Sequence, residues 1–203
     1  MSEESVSIVI PAFNEEQCIA NIVKGVKDAF ASIEHEIIVV NDGSTDQTRQ
    51  LAEQAGACVI SHASCRGYGA SLKTGIRHAS GEWILTMDAD GQHEPSDALR
   101  LIETRHNGYD IVIGMRNEDS FQYASRIPGK KFLQWFAKFL VGEQPQDVNS
   151  GMRMFRKKDA LRYFPILPNA FSFSTTLTLA MLKDAYQIGW VPIQARPREG
   201  RRS

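Results

Sequence analysis

An α/β fold, with a mostly parallel sheet and helices on both faces, is predicted by three observations. Short apolar strands alternate with amphipathic helices from Val6 to Gly114, the pattern of a sheet buried on both sides. The strands run into polar clusters at Asn14-Glu15, Asn41-Asp42, Asp88-Ala89-Asp90 and Arg116, where open sheets of this class bind their ligands. At 203 residues, 42% apolar and 23% charged, the chain is globular in composition and long enough to bury a substantial core.

The elements follow in order. Val6-Ser7-Ile8-Val9-Ile10 is a strand that Pro11 is expected to close. Residues 15–31 place Ile19, Ile22, Val23, Val26, Ala29 and Phe30 at helical spacing. His35-Glu36-Ile37-Ile38-Val39-Val40 is the second strand. Residues 45–55 form a helix with Asp46 near its start and Gly56 past its end, and Ser44 and Thr45 are expected to cap it. Cys58-Val59-Ile60 is a short third strand, and residues 68–79 are the third helix. Glu82-Trp83-Ile84-Leu85-Thr86-Met87 has the apolar density of a buried strand. A helix over residues 96–106 and a strand at Asp110-Ile111-Val112-Ile113-Gly114 come next.

Residues 126–142 carry Phe132, Leu133, Trp135, Phe136, Phe139, Leu140 and Val141, with Lys130, Lys131 and Lys138 interleaved. This is an amphipathic helix that either packs into the core or lies at a membrane surface, aromatics in the acyl boundary and lysines at headgroup level. Gly151-Met152-Arg153-Met154-Phe155 is a strand, residues 158–163 a short helix, residues 172–186 a longer one, and Trp190-Val191-Pro192-Ile193 the last strand. With no internal repeat or low-complexity linker, a single domain over residues 1–203 is expected.

Charge and composition exclude several classes. A net charge of -1 gives no basis for bulk nucleic-acid binding, although basic residues cluster at residues 126–131 and 196–202. Cys18, Cys58 and Cys65 are odd in number and lack metal-ligand spacing, so reduced cytosolic thiols are expected. The chain opens without a signal-peptide pattern, and no apolar run reaches the roughly 18 residues that suggest a membrane span. Arg198-Glu199-Gly200-Arg201-Arg202-Ser203 ends as a loop without a closing element, so a longer parent protein is expected.

Chemistry concentrates at strand ends. Two carboxylates two residues apart repel unless a cation sits between them. Oxygen donors from Asp88, Asp90 and the Gln92 amide suit Mg²⁺ or Mn²⁺, which bridges readily to phosphate oxygens; the alternative is a solvated acidic turn. An EF-hand does not fit, because the glycine falls too early in the run. Asp42 is an acceptor placed to receive the imide N–H of a uracil or guanine. Arg66-Gly67-Tyr68-Gly69 is a glycine loop with a cation before a helix, without P-loop spacing. Arg116, Arg126, Arg153 and Arg198 either meet anionic oxygens or are surface charges. Asp147 is a loop acid that turns or caps.

Five runs occur in sequence: Pro11-Ala12-Phe13-Asn14-Glu15, Val40-Asn41-Asp42-Gly43-Ser44-Thr45-Asp46, Arg66-Gly67-Tyr68-Gly69-Ala70, Asp88-Ala89-Asp90-Gly91-Gln92-His93 and Asp147-Val148-Asn149-Ser150-Gly151-Met152-Arg153. As a set they resemble family 2 glycosyltransferases with the GT-A fold, a Rossmann-like mostly parallel sheet. The resemblance is to the branch of dolichyl-phosphate mannose synthase and bacterial polyprenyl-phosphate glycosyltransferases. It implies inverting transfer of a sugar from a UDP- or GDP-sugar to a dolichyl or undecaprenyl phosphate at the cytoplasmic face of a membrane. The alternative is a saccharide or diacylglycerol acceptor.

Carried over by position, the resemblance has Pro11, Phe13, Glu15, Val40 and Asp42 hold the nucleoside. Arg66 joins the donor site, and Asp88, Asp90 and Gln92 hold Mg²⁺ or Mn²⁺ with Ala89 against the donor. Arg116 and Arg126 face the lipid phosphate or the diphosphate, Arg198 the donor diphosphate, and Asp147 stands near the reacting centre. Three departures accompany the match. Asn41 replaces the first acid of the usual Asp-Asp-Gly-Ser, Cys65 stands where asparagine is common, and the chain stops at Ser203, before the lysine and carboxy-terminal transmembrane helices the family leads one to expect. Because a phosphate acceptor is already an anion, Asp147 is expected to orient or assist electrostatically, whereas a hydroxyl acceptor would demand a general base.

Overall fold

The computed structural model describes residues 5–116 and 146–194. Arg126, Arg198, the aromatic segment at 126–142 and the basic cluster at 196–202 lie outside the described residues.

The elements in chain order are β1 (Val6–Ala12), α1 (Ile19–Ala29), β2 (His35–Asn41), α2 (Thr48–Ala55), β3 (Cys58–Ser61), α3 (Tyr68–His78), β4 (Trp83–Thr86), α4 (Pro95–Arg105), β5 (Ile111–Arg116), β6 (Arg153–Arg156), α5 (Lys157–Tyr163), α6 (Phe173–Lys183) and β7 (Ile188–Ile193). They form one seven-stranded sheet in the order β3-β2-β1-β4-β6-β5-β7. β1 pairs in parallel with β2 and β4, β2 with β3, and β5 with β7. β6 inserts between β4 and β5 and runs antiparallel to both. Helices cover both faces, as expected. Ile19, Val23 and Val26 of α1, Ala52 of α2 and Leu101 of α4 share one core with Ile8, Ile10, Val39 and Leu85. Leu72 and Ile76 of α3, Ala160 of α5 and Phe173 and Leu177 of α6 share the other with Val9, Ile38, Ile84 and Ile113.

Three of the boundaries that differ from the sequence reading have a clear local reason. Pro11 does not close β1. The strand continues through Ala12, with Pro11 opposite Val40 and Ala12 opposite Asn41. Alternation turns Pro11 toward β4, whose pairing with β1 stops at Val9 opposite Thr86, so the missing proline N–H breaks no ladder bond. α1 starts at Ile19 instead of residue 15, because Cys18 and Ile19 both donate backbone N–H to the Glu15 carbonyl in a turn before the helix.

α2 starts at Thr48, and neither Ser44 nor Thr45 caps it. The Ser44 hydroxyl accepts from the Asn14 amide (2.9 Å) and the Thr45 amide donates to Asn14 Oδ1 (2.9 Å), so they lace the β2–α2 loop to the β1–α1 loop. Asp46 does the work nearer the helix, accepting from the Thr48 amide at 3.0 Å. Past the helix, Gly56 adopts the left-handed conformation (φ 93) expected of a helix stop.

One close approach fixes α3 on the sheet. A Cβ at Gly75 would stand 2.4 Å from Val9 Cγ1 and 3.2 Å from Val40 Cγ2. Overpacking of this kind costs about 1–3 kcal/mol. Gly75→Ala is therefore expected to lower the melting temperature by roughly 3–10 °C, at ~2–4 °C per kcal/mol for a chain of this size. The double variant with Val9→Ala should recover part of the loss; additive losses in thermal melts would contradict the contact.

Candidate active site

The carboxyl ends of β1, β2, β4 and β5 bring most of the singled-out residues to one edge of the sheet. Pro11 and Val40 are neighbours across the β1–β2 ladder, and the Asp42 amide continues it by donating to the Ala12 carbonyl at 2.9 Å. Phe13 is 39% exposed on the rim, whereas Glu15 is buried and its amide donates to the Thr48 hydroxyl at 2.8 Å. Arg66 lies on the loop before α3 with its side chain exposed.

Asp42 accepts four hydrogen bonds from the protein. Its Oδ1 accepts from His62 Nδ1 (2.6 Å) and the Arg66 amide (2.9 Å). Its Oδ2 accepts from the Gly67 amide (2.8 Å) and the Cys65 thiol (3.3 Å). Four donors fill the four acceptor positions of a carboxylate. Burial by itself would raise this carboxyl, but the bonds from His62, Arg66, Gly67 and Cys65 outweigh it and hold the group below its ordinary value. Asp42 in turn pushes the Cys65 thiol up, first through the hydrogen bond. The other ring nitrogen of His62 meets the Thr74 hydroxyl at 2.9 Å, tying β3 to α3.

Asp88 and Asp90 follow β4. Asp88 Oδ1 accepts from the Tyr68 hydroxyl at 3.0 Å, and His93 Nε2 stands 3.7 Å from Oδ2. Tyr68 is raised well above its ordinary value, chiefly by burial and then by the Asp88 charge. On the other side, Gly151 abuts the carboxylate so closely that a Cβ there would lie 2.1 Å from Oδ2. Asp90 Oδ1 accepts from the Gln92 amide N–H at 3.1 Å, and Ala89 between the two acids is buried. Among the described residues no cluster of three or more His, Cys, Asp or Glu is arranged to hold a metal ion. The carboxylates of Asp88 and Asp90 and the side-chain amide of Gln92 carry oxygen atoms of the kind that suits a hard cation.

Arg116 ends β5 facing these acids. Its guanidinium grips Asp147 with two bonds, Nε to Oδ2 at 2.8 Å and Nη2 to Oδ1 at 2.9 Å. Asp147 is 2% exposed while the Arg116 side chain keeps 32%. The Asp147 hydrogen bond raises Arg116 most, and the charges of Asp147, Asp88 and Asp90 add to the rise. One electrostatic neighbourhood therefore joins the β4 and β5 ends.

Arg153 matches neither reading open from the sequence: it is not a surface charge, and its donors are taken by the protein. It is fully buried and spends its donors on protein oxygens: the carbonyls of Val148, Ser150 and Ser174 and the Thr178 hydroxyl. Sequence reasoning also passed over His62, Gly151 and the hydroxyl of Tyr68. Tyr68 stood in a quoted motif, but read as part of a glycine loop.

Comparison with known proteins identifies the family and the fold. The family described as Glycosyl transferase family 2 matches residues 7–164. A Methanocaldococcus jannaschii protein, MJ1222, is 30% identical over 203 aligned residues, which cover 96% of this chain and 82% of that protein. Glycosyltransferase AglJ of Haloferax volcanii is 30% identical over 201 residues, 96% of this chain and 64% of AglJ. An undecaprenyl-phosphate 4-deoxy-4-formamido-L-arabinose transferase of Serratia proteamaculans is 30% identical over 194 residues, 85% of this chain and 58% of that enzyme. The chain thus spans under two thirds of the length of these last two relatives. Among solved structures, glucosyl-3-phosphoglycerate synthase of Mycobacterium tuberculosis with Mg²⁺ and UDP superposes with a TM-score of 0.80 at 21% identity, covering 98% of this chain and 73% of the synthase. That likeness establishes the GT-A fold. The chain belongs to glycosyl transferase family 2 and is a glycosyltransferase.

The saturated Asp42 makes a pH-dependent expectation. Its carboxyl is depressed in the folded state, so its stabilisation is complete above the ordinary value of about 3.9 and is lost as the pH falls through the depressed value. Asp42→Asn should lower the melting temperature at pH 7 by roughly 3–10 °C, from about 1–3 kcal/mol of charge-assisted bonding. The gap to wild type should shrink as melts are repeated below about pH 4; a gap that widens on acidification would reverse the sign argument.

Proposed function

We propose that this family 2 glycosyltransferase moves one sugar, with inversion, from a UDP- or GDP-sugar to a polyprenyl phosphate, and works with Mg²⁺ or Mn²⁺. The observation that carries the reading is that Arg116, gripped by Asp147, shares one electrostatic neighbourhood with Asp88 and Asp90. Undecaprenyl phosphate appears in the name of the Serratia relative, and Mg²⁺ with UDP in the structural neighbour.

The roles follow from charge. Asp88, Asp90 and the Gln92 amide would hold the divalent ion, which when bound neutralises the diphosphate as it leaves. Tyr68 and Gly151 fix the Asp88 carboxylate from two sides. Arg116, held in one orientation by Asp147, presents its remaining guanidinium edge to anionic oxygens. Asp147 is ill placed for proton abstraction, since both its oxygens are bonded to a guanidinium and it is 2% exposed. A phosphate acceptor needs no base, whereas a sugar hydroxyl does, and that difference favours the phosphate.

At β1 and β2, Pro11, Phe13, Glu15 and Val40 would frame the nucleoside. A base imide joins Asp42 by replacing one of its four donors, and the Cys65 thiol at 3.3 Å holds the longest of those bonds. Arg66 beside this loop, with Arg126 and Arg198 outside the described residues, completes the proposed set of cations. Membrane-surface contact through the 126–142 segment, and a single domain over residues 1–203, belong to the same proposal. No helix among the described residues is long and apolar enough to cross a membrane.

The test is transfer assayed with UDP- and GDP-sugars against undecaprenyl phosphate, dolichyl phosphate, diacylglycerol and free saccharides, with Mn²⁺ or with EDTA. Sugar transfer to a polyprenyl phosphate, lost in EDTA, is the expected result; transfer to a saccharide or diacylglycerol alone would replace the acceptor assigned here. Asp88→Asn should reduce turnover at least about 10²-fold. Gly151→Ala, which drives a methyl into Asp88, should weaken Mn²⁺-dependent thermal stabilisation by UDP while leaving the chain folded.

A further inference from the structure

Arg153 is a buried cation that the reaction as described does not use. It opens β6 opposite Thr86 of β4, is 0% exposed, and meets no carboxylate at ion-pair distance among the described residues. Taking a guanidinium out of water is costly unless every donor is satisfied, so a fold that keeps one there is using its geometry. Its Nε and Nη2 donate to the Ser150 carbonyl, the former at 3.0 Å, and Nη2 also reaches the Val148 carbonyl at 3.3 Å. Its Nη1 donates to the Ser174 carbonyl at 2.8 Å and the Thr178 hydroxyl at 2.9 Å, both on α6. The planar fork thus fastens one turn to one helix.

That turn is the part of the chain on which both halves of the site lean. Asp147 at its start holds Arg116, and Gly151 at its end sits against Asp88. The Thr86 hydroxyl donates to the Gly151 carbonyl at 2.7 Å, closing the turn onto β4. We propose that Arg153 is a positioning residue: it clamps residues 148–150 to α6 and so sets where the Asp88 carboxylate and the Arg116–Asp147 pair stand relative to each other. Burial pulls the guanidinium down to about 10, against the charges of Asp147 and Asp88, so it is cationic at neutral pH.

The inference rests on the metal-assisted transferase reading, and the experiment separates the two. Arg153→Lys keeps the charge but loses the fork, and Thr178→Val removes one of its acceptors on α6. Tyr163→Phe removes the hydrogen bond from Tyr163 to Asp184 (2.7 Å) between α5 and the end of α6, and serves as a comparator for general destabilisation. Each folded variant is measured for melting temperature, for the Mn²⁺ concentration giving half of the UDP-dependent thermal shift, and for kcat and KM.

Arg153→Lys is expected to raise the half-saturating Mn²⁺ concentration at least about fivefold and to lower kcat about 10²-fold, with KM for the nucleotide sugar within roughly threefold, as misplacement near 1 Å would do. Thr178→Val should move both in the same direction by a smaller factor, and it decides the matter if Arg153→Lys does not fold. Wild-type Mn²⁺ response and kcat in folded Arg153→Lys or Thr178→Val would overturn the inference, as would equal shifts in Tyr163→Phe. A wild type that shows no Mn²⁺-dependent response to UDP overturns the metal reading itself.

Discussion

Several carboxylates converge on one edge of the sheet, and a half-buried crevice tolerates like charges only when each is supplied with donors or a cation. The chain meets that constraint differently at each acid. Asp42 is filled by four donors from the protein, Asp147 is paired with a guanidinium, and Asp88 takes a tyrosine hydroxyl and stands beside His93. Asp88, Asp90 and the side-chain amide of Gln92 are the oxygen donors proposed to hold a divalent ion.

Topology explains how those partners reach the crevice. A purely parallel sheet brings its strands' carboxyl ends, with the loops and helix starts that follow them, to that edge. β6 runs the other way between β4 and β5, so its amino end, with the turn before it, arrives at the same edge. That reversal places Gly151 against Asp88 and Asp147 against Arg116. It also puts Arg153 at the first residue of β6, directly behind the turn. One inserted antiparallel strand thereby supplies a second layer of support to groups that the parallel strands present.

Much of this was legible in the sequence, and for physical reasons. Strand and helix periods predicted the alternation, and apolar runs ending in Asn41-Asp42 and Asp88-Ala89-Asp90 marked where strands end, because no sheet interior accepts such clusters. The local misreadings share one cause. Ser44 and Thr45 have the side chains of helix caps, but their partners are Asn14 and the loop that it anchors, thirty or more residues away. Pro11 was read as a strand end because a proline lacks a ladder donor, yet register with β4 decided that the donor was not needed. Partners remote in sequence override local propensity, and one chain read alone does not reveal them. Arg153 shows the same limit more sharply: nothing in Gly151-Met152-Arg153-Met154 tells an arginine that contacts a ligand from one that braces a turn.

The bracing arrangement bears on which acceptor chemistry the site favours. An arginine held by a buried carboxylate in a two-bond grip gains orientation and retains its charge, and the carboxylate gives up its basicity in exchange. A site that takes a hydroxyl acceptor cannot spend its nearby acid in this way without another base to replace it. A site that takes a phosphate can, because the nucleophile arrives already ionised and what it lacks is a fixed cation to hold it in line. The Arg116–Asp147 pair, buried on the acid side and partly exposed on the cation side, suits the second requirement under the proposed function. On the same proposal, Arg153 behind the turn holds that pair and Asp88 in one frame, so that a single buried guanidinium would set both the cation for the incoming anion and the acids for the departing diphosphate.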